Sequence, residues 1–162
     1  TAGWERMRKI GPYFNPHVAT CGAAGLSPQN GVEMGAYPYP IFMAYAEQDP
    51  ELVYAISKAM IEHYDLYKDA APGASGLAVK FQNLKWVLPY HAGTVRALKE
   101  AGVWKAEHDT HNAALLKRQD ALTAAWSAFV KTAPDDKEAF RKAWYAARKA
   151  ALVKAGMDPV FD

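Results

Sequence analysis

Apolar side chains recur every three or four residues in the last third of the chain, which is typical of amphipathic helices. One side of a helix predicted over about 106–130 carries Leu115, Leu122, Trp126 and Phe129. A second helix is predicted after the segment TAPD at 132–135. Its apolar face consists of Phe140, Trp144, Ala147 and Leu152. Because the connection is short, we expect the two helices to form a hairpin.

A further helix is predicted after Asp49-Pro50-Glu51, which supplies an N-cap, a proline at the first helical position and an acidic first turn. It is expected to run to about residue 67. One face of this helix is predicted to carry Leu52, Ile56, Ala59, Met60 and His63. Shorter helices are predicted over 77–84 and 95–101, and Gly102 is expected to end the latter.

Two segments in the first third of the chain have the composition of strands. Residues 18–30, VATCGAAGLSPQN, open with strand-forming residues and continue with the composition of a loop. The run PIFMAYA at 40–46 predicts a buried strand with a proline at its start. We therefore predict an α/β portion over residues 1–104, followed by a C-terminal helical extension over 105–162, where Ala, Lys and Arg dominate.

Composition excludes several classes of protein. The 162 residues are 51% hydrophobic and 22% charged, which is typical of a globular domain. The longest apolar runs fall well short of the roughly 20 residues that a membrane-spanning helix needs. The formal net charge is only +2, which makes nucleic acid a poor candidate partner. The single cysteine, Cys21, has no partner within the chain for a disulfide.

Motifs for metal binding and catalysis are weak. His108 and His111 are three residues apart and close enough on a helix to share an ion, but no third and fourth ligand is evident. Ser27 lies in GLSPQ, which is not a GxSxG motif, and Cys21 shows no sign of activation beyond His17 nearby. Gly22 and Gly25 do not form a nucleotide-binding fingerprint. We expect a protein without enzymatic activity, cofactor or metal.

Several motifs together resemble the TAXI family, the extracytoplasmic solute receptors of TRAP transporters. The similar stretches are RKIGPYF at 8–14, GAYPYPIFM at 35–43, ELVYAISKA at 51–59, LPYHAGTVR at 88–96 and KEAGVW at 99–104. The resemblance is most specific at 49–59 and 88–104 and covers nearly the whole chain.

The resemblance implies the C-terminal portion of a two-lobed type II periplasmic-binding-protein fold, helix-rich and ending in a helical hairpin. It also implies a periplasmic receptor that captures a small organic anion or amino acid and delivers it to the membrane permease subunits of a TRAP transporter. Receptors of this family are roughly twice as long as this chain. A fragment or half of a split receptor is therefore expected. A second chain that supplies the N-terminal lobe is one alternative, and a lobe that was cleaved off or that never existed are the others.

The resemblance places a binding loop before the GAYPYPIFM stretch. The ligand-binding residues predicted from it are Thr20, Cys21, Ser27 and Gln29, with Tyr37 beside them. His91 and Gly93 carry a family motif, but we interpret them as fixing the start of a helix and permitting close approach. Arg96 is a candidate carboxylate clamp, although an ion pair with Glu100 four residues on is the commoner arrangement.

A different class of function fits the composition of residues 105–162. The alternative is a helical protein-interaction module without a small-molecule ligand, in which an exposed Trp or Phe face of the predicted hairpin docks a partner or a second copy. We expect Trp126 and Trp144 to pack within the hairpin rather than to form a ligand cage. A hydrolase or metalloenzyme is a third possibility.

Overall fold

A computed structural model describes residues 1–39 and 41–160. The fold is mixed α/β and rich in helix, as predicted. Its helices and strands are α1 (Ala2–Ile10), β1 (Asn15–Ala19), β2 (Val32–Ala36), α2 (Pro50–Glu62), α3 (Tyr64–Tyr67), α4 (Ala92–Glu100), α5 (Ala106–Phe129) and α6 (Lys137–Lys154). Two 3-10 turns, Ala74–Leu77 and Val79–Phe81, precede α4. No helix in the described part of the chain combines the length and apolar character needed to cross a membrane.

The chain forms two compact units. Unit 1 comprises residues 1–41 and 121–162, and unit 2 comprises residues 42–120. The chain passes from unit 2 back into unit 1 within α5, which is a single helix from Ala106 to Phe129. The division at residue 104 rests on composition and stays a prediction.

Unit 1 contains the β-sheet that the structure describes. Strands β1 and β2 pair antiparallel, with Asn15 opposite Ala36 at one end and Ala19 opposite Val32 at the other. The start of the 18–30 segment is therefore a strand and the rest is the connecting loop, as predicted. A two-stranded sheet is marginally stable in water and needs other elements packed on it.

Aromatic side chains hold the C-terminal helical hairpin of unit 1 together. Trp126 and Phe129 near the end of α5 contact Phe140 and Trp144 on α6, with the Trp126 and Trp144 ring centroids 4.9 Å apart at a steep angle. Phe129 is buried, and Leu152 further along α6 is fully buried. Trp126 and Trp144 therefore contact each other across the hairpin, as predicted, although Trp126 remains 42% exposed. The exposed part of Trp126 is the aromatic surface that the interaction-module hypothesis requires.

Helices α2 and α4 pack closely in unit 2. Asp49 caps α2 by accepting a hydrogen bond from the Glu51 amide at 3.0 Å, and Pro50 occupies the first turn, as predicted. Val53 on α2 and Leu98 on α4 are buried. Gly102, at φ +73°, ends the α4 region in the left-handed conformation that glycine adopts at low cost.

The first turns of α5 are tied into unit 2 by side chains. Asn112 bonds both backbone groups of Tyr90, accepting from the amide at 2.7 Å and donating to the carbonyl at 3.2 Å. The buried Trp104 indole donates to Asp109 at 2.9 Å, and its ring contacts Tyr90 at 5.5 Å. Lys85 also forms an ion pair with Glu107. These contacts attach residues 105–112 to the segments on either side of α4.

Four predicted elements differ from the structure, one of them only in that the helix predicted over 95–101 already begins at Ala92. The described part of the predicted 40–46 strand, residues 41–46, forms no strand and is exposed, and Pro40 lies outside the described residues. The predicted 49–67 helix ends at Glu62 and restarts as the one-turn helix α3. The predicted 77–84 helix is replaced by 3-10 turns.

The predicted apolar face of α2 is not the face that packs on α4. Leu52 and Ile56 remain 48% and 52% exposed, and α2 instead turns Val53 towards α4. Helical spacing identifies residues that share a face, but it does not identify which face a neighbouring helix covers. An apolar stripe of α2 is thus left at the surface of unit 2.

Candidate functional site

Four of the five predicted ligand-binding residues lie in the loop that connects β1 to β2. Thr20 and Cys21 follow the end of β1, while Ser27 and Gln29 lie near the return into β2. Thr20, Cys21 and Gln29 are exposed, and Ser27 is half-buried. The loop therefore presents hydroxyl, thiol and amide groups to solvent within one short segment.

Local hydrogen bonds fix the shape of this loop. The Ser27 side-chain oxygen accepts a hydrogen bond from the Asn30 amide at 3.0 Å, and the Asn30 side chain donates to the Gly25 carbonyl at 3.1 Å. Gly22, Ala24 and Gly25 all have positive φ angles. Ala24, at φ +60°, adopts the left-handed region without the freedom that glycine has, which costs conformational energy. The loop thus has a defined turn that positions Ser27.

Tyr37 lies at the other end of the hairpin. It follows β2, beyond the Asn15–Ala36 pair, and its ring contacts Phe14 edge-on at 6.2 Å. Five residues of strand separate it from the return of the loop at Val32, a distance of about 17 Å at 3.4 Å per residue. The four predicted loop residues share one connecting segment between β1 and β2, whereas Tyr37 follows the far end of β2. The ligand-binding assignment of all five residues stays a prediction.

His91 and Gly93 build the start of α4. The His91 ring nitrogen Nδ1 accepts a hydrogen bond from the Gly93 amide at 3.1 Å, which caps the helix. A Cβ added to Gly93 would lie only 2.6 Å from the Tyr54 backbone nitrogen and closer still to the Pro50 carbonyl. Glycine is therefore required for the close approach of α2 and α4. The architectural interpretation of His91 and Gly93 is confirmed.

Arg96 belongs to an ion-pair network that joins the two helices. Its guanidinium is 2.8 Å from Glu51 on α2 and 3.5 Å from Glu100 on its own helix, so the predicted pair with Glu100 is confirmed. The same group stacks 3.8 Å from the ring centroid of Tyr54. Glu51 and Glu100 already pair with the Arg96 guanidinium, so a ligand carboxylate would have to displace one of them.

Glu100 accepts hydrogen bonds from two side chains of α2. The Tyr54 hydroxyl donates to it at 2.8 Å and the Lys58 ammonium at 3.1 Å, while Lys58 also pairs with Glu62. These bonds, that of Tyr54 foremost, hold the pKa of Glu100 below its ordinary value. The bonds to Glu62 and Glu100 raise the pKa of Lys58.

A small cavity lies beside this network on unit 2. Its volume is about 90 Å³, and its lining residues are Lys58, Ile61, Glu62, Ala97, Glu100 and Ala101. Sites for small organic ligands typically measure about 300–1,000 Å³. This cavity is large enough for a few water molecules and too small for an amino acid or organic acid.

His108 and His111 each make a structural hydrogen bond. The Nδ1 atom of His108 accepts from the Lys105 amide at 2.9 Å, and Nε2 of His111 lies 2.7 Å from the Trp86 carbonyl. One ring nitrogen of each histidine is therefore engaged with backbone. Over the described residues, no group of three or more His, Cys, Asp or Glu side chains is arranged to hold a metal ion.

Sequence reasoning missed the residues that connect distant segments. Tyr54, Lys58 and Glu51 reach Glu100 and Arg96 across more than 40 positions, so helical spacing gave no signal for them. The short-range pair of Arg96 with Glu100 was visible because the two residues are four positions apart on one helix.

Comparison with known proteins identifies a family. The model of the NMT1-like family matches residues 2–102, which is more than half of the chain. This family belongs to the solute receptors of the periplasmic-binding-protein type, so the helix-rich α/β fold is that of part of such a receptor. No curated protein and no solved structure shows a significant match to the chain.

Proposed function

Because the chain belongs to the NMT1-like family of solute receptors, we propose that it is the solute-binding component of a TRAP-type transporter. The observation that carries this proposal is the family match over residues 2–102, which includes the β1–β2 hairpin and the α2–α4 pair. The assignment to the TAXI branch rests on the motifs at 49–59 and 88–104. The proposed role is reversible capture of a solute, without catalysis.

The proposed ligand is a small organic anion or an amino acid. The β1–β2 loop offers the side chains of Thr20, Ser27 and Gln29, whose hydroxyl and amide groups are donors for a carboxylate. Such directed polar groups give a solute site its orientation and specificity. Arg96 is not part of this proposal because Glu51 and Glu100 already flank its guanidinium. The four loop residues form the core of the proposed site, and Tyr37, at the far end of β2, stays a predicted further contact.

The proposed location and partners follow from the family. Receptors of this kind are typically extracytoplasmic. We place this chain in the periplasm, where it would hand its solute to the membrane permease subunits. The expected mode of capture is closure of two lobes around the ligand.

A ligand screen on the purified protein tests the proposal. Thermal unfolding is recorded with panels of carboxylic acids, keto acids and amino acids, because a ligand that binds only the folded state raises the melting temperature. Each compound that raises the melting temperature is then titrated calorimetrically to obtain the dissociation constant. We expect saturable binding of one of these chemical classes.

A pair of loop substitutions locates the binding site. Thr20→Val with Gln29→Ala removes two donors and is expected to weaken binding about tenfold or more. Thr123→Val with Gln119→Ala makes the same chemical changes on the exposed surface of α5 and should leave the affinity unchanged. If both double variants weaken ligand binding equally, the β1–β2 loop is not the binding site. Absence of binding across all three panels would contradict the receptor function.

A further inference from the structure

Asn30 is followed by glycine at the point where the β1–β2 loop returns into β2. In an Asn-Gly pair the backbone nitrogen of the glycine can attack the side-chain amide carbon of the asparagine, because glycine has no Cβ to shield that nitrogen. The other asparagines of the chain, which are followed by proline, leucine and alanine, are Asn15, Asn83 and Asn112. Asn30 is therefore the asparagine with the least hindered neighbour.

Asn30 is also the asparagine that the fold leaves most accessible to water. It is exposed, whereas the other three are half-buried. Asn112 is held in α5 by its two hydrogen bonds to the backbone of Tyr90, at 2.7 and 3.2 Å. The Asn83 side chain accepts a hydrogen bond from the Lys85 amide at 3.0 Å. The fold therefore restrains Asn83 and Asn112 more than Asn30.

The hydrogen bonds that the structure describes for Asn30 stay within the loop. Its backbone amide donates to the Ser27 carbonyl and to Ser27 Oγ, each at 3.0 Å, and its carbonyl accepts from the Ser27 amide at 3.3 Å. Its side-chain nitrogen donates to the Gly25 carbonyl at 3.1 Å. Both partners lie outside the helices and strands. Exposed segments held by local bonds open at low cost in free energy, so the Asn30 side chain can turn towards the next backbone nitrogen.

The fold favours glycine at position 31. A Cβ added to Gly31 would lie 2.7 Å from Cγ1 of Val18 on β1 and 3.4 Å from the Ala19 carbonyl oxygen. The first distance is shorter than a favourable contact between two carbon atoms, so a larger residue would have to displace Val18. The reactive pair is thus a consequence of how the loop closes onto β1.

We propose that Asn30 is a site of spontaneous deamidation and that the modification opens the β1–β2 loop. The Gly31 nitrogen loses its proton and attacks Cγ of Asn30, the bond from Cγ to Nδ2 breaks, and Nδ2 leaves as ammonia. A water molecule then opens the cyclic imide that results. Opening at Cγ gives aspartate, whereas opening at the backbone carbonyl gives isoaspartate, in which the main chain runs through Cβ and Cγ.

Either product removes a donor from position 30 and adds a carboxylate. The side-chain nitrogen that donates to the Gly25 carbonyl is lost, and a carboxylate oxygen in its place would repel that carbonyl oxygen. Isoaspartate also lengthens the main chain where Asn30 pairs with Ser27. We therefore expect the turn that positions Ser27 to open. The added charge would disfavour an anionic solute, a consequence that rests on the proposed function, whereas the tests below need no ligand and can fail independently of it.

Peptide mapping of the aged protein tests the modification. The folded protein is incubated in mildly alkaline buffer, which helps to remove the proton from the attacking nitrogen, and is then digested and analysed by mass spectrometry. We expect replacement of the amide NH2 by OH at Asn30, with both isoaspartate and aspartate present, and intact amides at the other three asparagines.

A synthetic peptide of residues 26–34 is the unfolded reference for the mapping. An intact Asn30 in the folded protein, beside a peptide that deamidates, would show that the fold protects the pair and would overturn the proposal. Equal loss of the amide at Asn83 or Asn112 would overturn the assignment to the Asn-Gly pair.

Hydrogen exchange tests the opening of the loop. Asn30→Asp reproduces the aspartate product, and Asn30→Gln is the matched control because it keeps an amide but forms the larger imide ring less readily. We expect faster exchange over residues 20–31 in Asn30→Asp and in the aged parent, with unchanged exchange in α2 and α4. Asn30→Gln should keep its amide through the same incubation. Parent-like exchange over residues 20–31 in both Asn30→Asp and the aged parent would overturn the opening of the loop.

Discussion

Replacement of Asn112 by Ala tests whether the start of α5 is part of the fold of unit 2. Asn112 bonds both the amide and the carbonyl of Tyr90, at 2.7 and 3.2 Å, across 22 positions of sequence. The family match ends at residue 102, so this clamp ties residues beyond the match to residues within it. Alanine keeps the helix and removes both bonds.

The expected loss of stability follows from the number and burial of these bonds. Each hydrogen bond contributes about 0.5–1.5 kcal/mol net, and a buried group left without a partner costs about 1–3 kcal/mol. Tyr90 and Asn112 are half-buried, so water can replace part of the lost bonding. We expect Asn112→Ala to lower the free energy of unfolding by about 2 kcal/mol.

Urea unfolding followed by tryptophan fluorescence measures this change, because Trp86 and Trp104 both lie in unit 2. Gln119→Ala, at an exposed position of the same helix, is the matched control and should stay within about 0.5 kcal/mol of the parent. If Asn112→Ala also stays within that range, the clamp does not stabilise unit 2 and the argument for α5 as part of it fails.

Three further predictions concern packing and charge. Gly93→Ala should destabilise unit 2 by about 1–3 kcal/mol in the urea assay, because the added Cβ would meet the backbone of α2. Gly76→Ala is the control and should be nearly neutral, since no atom lies within 4 Å of the added Cβ. Leu152→Ala should cost about 2–5 kcal/mol and Val153→Ala, at a 58% exposed position, much less, as measured by thermal unfolding. Because folding lowers the pKa of Glu100, its contribution to stability should be present above its ordinary value of 4.5 and lost as pH falls through the folded pKa. Glu100→Gln should therefore flatten the acid limb of a plot of melting temperature against pH, and an unchanged acid limb would contradict the role of the Glu100 bonds.

Local signals predicted the start of α2 and the extent of α5. Asp49 and Pro50 start α2 as expected, and the predicted 106–130 helix matches α5 to within one residue. Capping and helical periodicity depend on residues a few positions apart, so they can be recognised from sequence. The same is true of the His91 cap and of the Arg96–Glu100 pair.

Features that depend on distant partners were not predictable in the same way. The apolar run at 41–46 has the composition of a strand, but a strand also needs a neighbour to accept its hydrogen bonds, and residue type does not reveal that neighbour. The opposite placements of the loop and of Tyr37 follow from the β1–β2 register, which only the structure supplies. The bonds of Asn112 to Tyr90 likewise join residues 22 positions apart.

Native mass spectrometry of the purified protein with the titrated solute tests the receptor function most directly. A denatured spectrum first identifies the polypeptides present, and the native spectrum then gives the mass of the assembly. The account predicts a mass increase of one solute per receptor, whether the receptor is this chain alone or a pair with a second chain, and loss of that increase in Thr20→Val with Gln29→Ala. Native masses without bound solute across all the acids and amino acids would contradict the account.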